Sequence, residues 1–167
     1  MRSKLFFCTF LILLTVSCRN EQLLQCNYSS ADISTTEDES VVLAGFAARN
    51  KLSDGIHTKL KTNVLVIRNG ETSVCIVSSD IMELPPVVAE QIRNDISAKT
   101  GIGRDNIFIH CIHTHSAPRF GGDCAQQGGP NFAYKERVVN TIIDNAVNTA
   151  NDAKAFKSFT FEVGKCD

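Results

Sequence analysis

The sequence predicts an α/β fold, a mixed β-sheet with helices packed on it. Three observations carry that expectation. An Asn-Gly pair joins two β-rich runs, a Pro-opened helix shows one apolar stripe, and the order after the first 40 residues is hairpin, helix, strand, helix, strand. With 167 residues, 43% hydrophobic and 21% charged, the chain has the length of about one domain and is too apolar for global disorder. Its net charge is −1, from 17 Lys and Arg against 18 Asp and Glu, with no long basic run. That balance excludes a nucleic-acid partner held by phosphate neutralisation.

The N-terminus reads as an export signal over residues 1–17. Arg2 and Lys4 precede the apolar run Leu5 to Val16, which is short for a membrane span. The run closes on Thr15-Val16-Ser17-Cys18. A small residue before cysteine is similar to the lipobox of bacterial lipoproteins, although Thr15 stands where that pattern has leucine. Acyl chains on Cys18 would tether an exported protein to a membrane surface, periplasmic or at the cell surface, without spanning it. The alternative is an ordinary cleaved signal with an incidental cysteine. Residues 18–40 are polar, with Ser29-Ser30, Thr35-Thr36 and Glu37-Asp38-Glu39, and predict a linker. Within them Asn27-Tyr28-Ser29 fits a glycosylation sequon, relevant only to a eukaryotic secretory route.

The folded domain is expected over residues 41–167. Asn63 to Arg68 and Thr72 to Ser79 flank Asn69-Gly70, a pair that tolerates the positive φ of a type I′ hairpin turn. The second run is apolar on both faces, as in a central strand, and ends in Asp80. A carboxylate is thereby placed at a strand's C-terminal edge, where ligands bind in open α/β sheets. Pro85-Pro86 then opens a helix with Val88, Ile92 and Ile96 at i, i+4, i+8, closed by Gly101 and Gly103. Ile107 to His113 predicts the next strand, Gly121 to Gly129 a glycine-rich loop, and Tyr134 to Ala153 a second helix. That helix carries Val138, Ile142, Ile143, Ala146 and Ala150 on one side, and Ser158 to Val163 predicts a last strand.

The residues that bear chemistry concentrate at His113-Thr114-His115-Ser116. On an extended strand His113 and His115 point the same way and His110 the opposite way. An H-x-H pair at a strand end can offer two imidazoles to one zinc ion, which needs about three protein ligands and an open position for water. Such a metal lowers the pKa of its bound water to about 7. The alternative is a pair of hydrogen-bonded structural histidines at a strand end. His110 reads as a satisfied core or interface residue, and His57 as a surface-loop residue. Setting aside Cys8 and Cys18 leaves Cys26, Cys75, Cys111, Cys124 and Cys166, an odd set without a CxxC pair, which does not support a thiolate zinc site.

The strand ending in Asp80, the helix after it and the string Ile112-His113-Thr114-His115-Ser116-Ala117-Pro118, followed by Arg119-Phe120-Gly121-Gly122, resemble the N-terminal part of the neutral/alkaline ceramidase family and its THTHSGP signature. Gly55 to Leu60 (GIHTKL) and Val42 to Lys51 (VLAGFAARNK) are similar to the family's segment before its first long hairpin and to its opening strand and substrate-side loop. The resemblance implies a fragment of a larger α/β hydrolase domain. It also implies a zinc-dependent amidase of sphingolipid metabolism that hydrolyses ceramide to a sphingoid base and a fatty acid. On that basis His115 maps onto a zinc ligand, His113 onto a neighbouring ligand or a residue shaping the site, and Asp80, Ser116 and His57 onto groups that bind substrate or orient a ligand. No catalytic residue falls within the chain, because the family's reacting serine and its remaining ligands (a histidine, a glutamate and a tyrosine) lie downstream of Asp167. Two expectations follow. One is the N-terminal piece of a membrane-tethered enzyme from a truncated frame, inactive alone, and the chain's end just after a predicted strand favours it. The other is a complete, non-catalytic surface lipoprotein or binding module that keeps part of the fold.

Overall fold

The computed structural model describes residues 24–46, 49, 51–156, 158 and 160–165. The predicted signal segment and Cys18 lie outside the described residues. Five strands form one mixed sheet in the order β4-β3-β2-β1-β5: β1 Gln25–Asp32, β2 Lys61–Asn69, β3 Thr72–Ser79, β4 Ile107–Cys111 and β5 Lys154–Ala155. β1, β2 and β3 pair antiparallel, β3 and β4 pair parallel, and β5 pairs antiparallel with β1. Helices α1 (Pro86–Thr100) and α2 (Phe132–Asn151) pack on the sheet and against each other.

Alternation along the strands decides which face the helices cover. Val64, Val66, Cys75, Val77 and Ile107 share one core with Ile92 and Ile96 of α1 and with Val138, Ile142, Ile143, Ala146 and Ala150 of α2. α1 ends as expected on Gly101, whose φ of 74° is left-handed and whose N–H donates to Ser97 O. On the other face, pairing sets Tyr28, Leu65, Ile76 and Phe108 in one row across four strands. Tyr28 is 63% and Phe108 57% exposed, so this apolar row is open.

Four elements differ from the sequence expectation. The predicted linker contains β1, an eight-residue strand paired on both sides. Its inward side chains are small and polar, and polar groups on α2 satisfy them: Asn27 Nδ2 donates to Thr149 O at 3.3 Å and Ser29 Oγ to Asn145 Oδ1 at 2.8 Å. A core pairing built from hydroxyls and amides carries no hydrophobic alternation to read. The hairpin turn lies one residue later than expected. Asn69 pairs with Thr72, and Gly70, with φ 60°, is the first central residue, as in the glycine-first type II′ pattern. β4 stops at Cys111, two residues before the predicted end. The strand expected over Ser158 to Val163 is not formed among its described residues, and Phe161 and Val163 are each 86% exposed. The sheet instead closes through β5, continued by Phe156 N–H donating to Leu24 O at 2.9 Å.

Between β1 and β2 the chain is stapled to α2 by charge. Arg137 grips the Glu39 carboxylate through Nε at 3.0 Å and Nη2 at 2.6 Å, and Nη2 also donates to Ser34 O at 2.7 Å. The guanidinium holds Glu39 below its ordinary 4.5. Asp32, which accepts hydrogen bonds from Ser34 and pairs with Lys59, is lowered from 3.8 to about 2. Both folded-state values lie below the unfolded ones, so the unfolded chain binds more protons in acid. The contribution is complete above the ordinary carboxylate values and is lost as pH falls through the depressed ones. The thermal midpoint is therefore expected to fall as pH drops from about 5 towards 2. Glu39→Gln should lower the midpoint at neutral pH and flatten that acid limb. An acid limb identical to wild type in the variant would remove the assignment.

Candidate functional site

The end of β3 and the end of β4 converge on the chain that carries the histidines. Ile112 N–H donates to Ser79 O at 3.2 Å and His113 N–H to Ile81 O at 3.1 Å, so residues after β4 still follow the edge of β3. His113 takes φ 63°, left-handed for a non-glycine residue. A strand cannot continue through that backbone, which explains the early end of β4. The imidazoles nevertheless come together, with ring centroids 5.2 Å apart and planes at 67°. A turn, and not the pleat alone, sets their approach.

Each ring is held from a different side. His113 Nδ1 lies 3.0 Å from Met82 O. A carbonyl only accepts, so Nδ1 carries a proton, and in the neutral ring Nε2 is left with the lone pair, the tautomer arrangement common to metal-ligating histidines. His115 stacks edge-on against Phe46 at 5.0 Å. Gly45, with φ +78°, is close enough that a Cβ there would fall 2.5 Å from His115 Cγ. The flanking backbone forms a seam: Ala44 N–H donates to Ala117 O at 2.8 Å, Arg119 N–H to Val42 O at 3.0 Å, and Leu43 bridges Pro118. Asn131 locks the seam. Its Oδ1 accepts Val42 N–H at 2.7 Å and its Nδ2 donates to Val42 O and Arg119 O, each at 2.8 Å.

The alternate residues of the same strip face elsewhere. Ile112, Thr114 and Ser116 line a cavity of about 530 Å³, together with His57, Lys59 and Asp80. Asp80 accepts Lys61 N–H at 2.9 Å and makes no ion pair among the described residues. Lys59 is paired with Asp32 at 2.9 Å. His57 is exposed, with Nδ1 3.0 Å from Thr58 Oγ1. Asp80, Ser116 and His57, expected to bind substrate or to orient a ligand, thus gather on one cavity, while neither His113 nor His115 lines it. His110, expected in a core or an interface, is exposed on the outer sheet face with Nδ1 3.0 Å from Ser78 Oγ.

The donor set for a metal is partial. Two imidazoles supply the nitrogen chemistry that zinc takes. Among the described residues no group of three or more His, Cys, Asp or Glu is placed to hold an ion. The cysteines do not extend the set. Cys26, Cys75, Cys111 and Cys124 are free, and burial pushes the Cys75 thiol up to about 11 and the Cys111 thiol upward.

A family model described as the N-terminal domain of neutral/alkaline non-lysosomal ceramidase matches residues 26–163. The chain belongs to this family. The match begins inside β1, in agreement with the strand found where a linker was expected. No curated protein sequence matches the chain significantly. Among solved structures, this ceramidase-family chain is similar to the neutral ceramidase from Pseudomonas aeruginosa, with a TM-score of 0.65 and 19% identity over 81% of this chain and 23% of that one. It is also similar to a structure described as "Ceramidase complexed with C2", with a TM-score of 0.56 and 23% identity over 77% of this chain and 20% of that one. The chain therefore spans about a fifth of the length of these ceramidases and shares the fold of that part. Sequence reading missed Gly45, Phe46, Arg49 and Asn131. The first three lie inside Val42 to Lys51, a stretch whose similarity to the family's opening segment was visible without their roles.

Proposed function

We propose that this chain is the N-terminal part of an exported, zinc-dependent amidase that cleaves the N-acyl bond of ceramide-like sphingolipids, giving a sphingoid base and a fatty acid. The observation that supports it is the pair of imidazoles, 5.2 Å apart, in a chain of the ceramidase family. Bound zinc would polarise the amide carbonyl and generate hydroxide near neutral pH. His113 would offer Nε2, with its tautomer fixed through Nδ1 on Met82 O. His115 would offer its ring from the notch formed by Gly45 and Phe46. The remaining ligands and the reacting groups come from outside the described residues. The open apolar row on the outer sheet face is consistent with packing inside a larger protein. Among the described residues no helix is long and apolar enough to cross a membrane. Acylation of Cys18 would instead hold the enzyme at the lipid surface that carries its substrate.

A second reading, a non-catalytic binding module, draws support from the cavity, whose lining includes neither His113 nor His115. Hydrolysis separates the two. The longest natural polypeptide containing this unit is expected to cleave a fluorescent short-chain ceramide and to lose that activity on chelation. The 167-residue chain with added zinc should not turn over. Absence of turnover by the long form would leave the binding module as the reading, and turnover unaffected by chelators would remove the zinc dependence.

A further inference from the structure

We propose that Arg49 is a positioning residue for the imidazole pair, holding the His115 backbone so that its ring stays in the notch between Gly45 and Phe46. Arg49 Nη1 donates to His115 O at 2.8 Å and to Ala44 O at 3.3 Å. Its guanidinium carbon lies 5.2 Å from the centroid of the Phe46 ring. Its own carbonyl accepts Arg119 Nη2 at 2.8 Å. One half-buried side chain therefore ties both strands of the seam and the aromatic wall of the notch. A planar guanidinium suits this task, because it can donate in its plane to two carbonyls while its face covers a ring.

The notch depends on that clamp. Phe46 has φ 52°, a left-handed backbone that persists in a non-glycine residue only where its surroundings impose it. Arg49 supplies part of that constraint by covering the Phe46 ring and by bonding the Ala44 carbonyl two residues before it. Phe46 touches His115, and His115 touches His113, so freeing Arg49 loosens the ring furthest from the β3 edge and opens the pair. Only the consequence for zinc affinity rests on the metal reading above. The clamp itself rests on contacts within the chain.

The test uses the full 167-residue chain and reads each histidine separately. Carbethoxylation by diethyl pyrocarbonate, followed by peptide mass spectrometry, reports the accessibility of His57, His110, His113 and His115. In wild type, His115 is expected to react more slowly than the exposed His57 and His110. Arg49→Ala should raise the His115 rate several-fold and leave His57 and His110 unchanged. A His115 rate equal to wild type in a folded variant would overturn the proposal. If all four histidines accelerate together, the variant has lost its fold and Arg49→Lys decides. Lysine keeps the charge but lacks the fork, so a selective rise at His115 supports the clamp and an unchanged rate sinks it. In a second arm, on the longest natural polypeptide that contains this unit, zinc affinity measured by chelator competition should weaken roughly tenfold to a hundredfold in Arg49→Ala, as for other residues that orient a metal ligand. A wild-type long form that binds no zinc would defeat the metal reading, while the carbethoxylation rates would still decide the role of Arg49.

Discussion

Replacing Asn131 with alanine is expected to lower the unfolding free energy by about 2–5 kcal/mol, a large effect for a residue that contributes no apolar area. The asparagine is fully buried and its side chain makes three hydrogen bonds, all to backbone groups of Val42 and Arg119. Truncation leaves the Val42 N–H and the Arg119 carbonyl without partners in the interior, each costing about 1–3 kcal/mol when unsatisfied, while Val42 O keeps the Arg119 N–H; entry of water into the vacated space offsets part of the sum. Aspartate should do no better. It still accepts the Val42 N–H, but it brings a carboxylate against two carbonyl oxygens that had a donor. Urea denaturation should show a lower midpoint at an unchanged slope, because the surface exposed on unfolding is the same. A loss below about 1 kcal/mol would mean that the seam is held by other contacts. The same substitution should also raise the reactivity of His115, since the seam that Asn131 locks begins at Ala117, two residues after it.

Asn131 also shows where sequence reading reaches its limit. An asparagine just before a helix ordinarily caps it. Here it precedes α2 without a side-chain capping bond and spends its amide on a residue 89 positions away. Local pattern carries no trace of such a partner. Helix α1 was legible because everything that specifies it is local: a proline start, an apolar stripe at Ile92 and Ile96, and a left-handed Gly101. The hairpin was legible for the same reason, apart from the one-residue position of its turn. β1 was not, because its inward residues Asn27 and Ser29 are satisfied by α2, more than a hundred residues on. At the site, the H-x-H string puts two imidazoles 5.2 Å apart. The reason differed from strand alternation, since the positive φ of His113 ends the strand before the pair begins.

His115→Ala and His113→Ala should each remove tight zinc binding from the longest natural polypeptide that contains this unit. The expected loss of affinity exceeds the tenfold to hundredfold typical of residues that only orient a ligand, because a donor itself is lost. The two variants are distinguishable by what else they disturb. His113 donates its Nδ1–H to Met82 O, so its removal also frees the chain beyond Ile81 at the edge of β3, and a drop in thermal midpoint should accompany the loss of metal. The His115 ring sits against Phe46 and over Gly45 and makes no side-chain hydrogen bond among the described residues. His115→Ala should therefore cost metal with little change in midpoint. His110→Ala is the internal control. That histidine lies on the outer sheet face beside Ser78, and metal content should stay at its wild-type value. Metal stoichiometry measured on the purified variants decides the matter. Full zinc content in His115→Ala removes the ligand assignment, and equal losses in His110→Ala would show that the metal responds to the sheet as a whole and not to the converging pair.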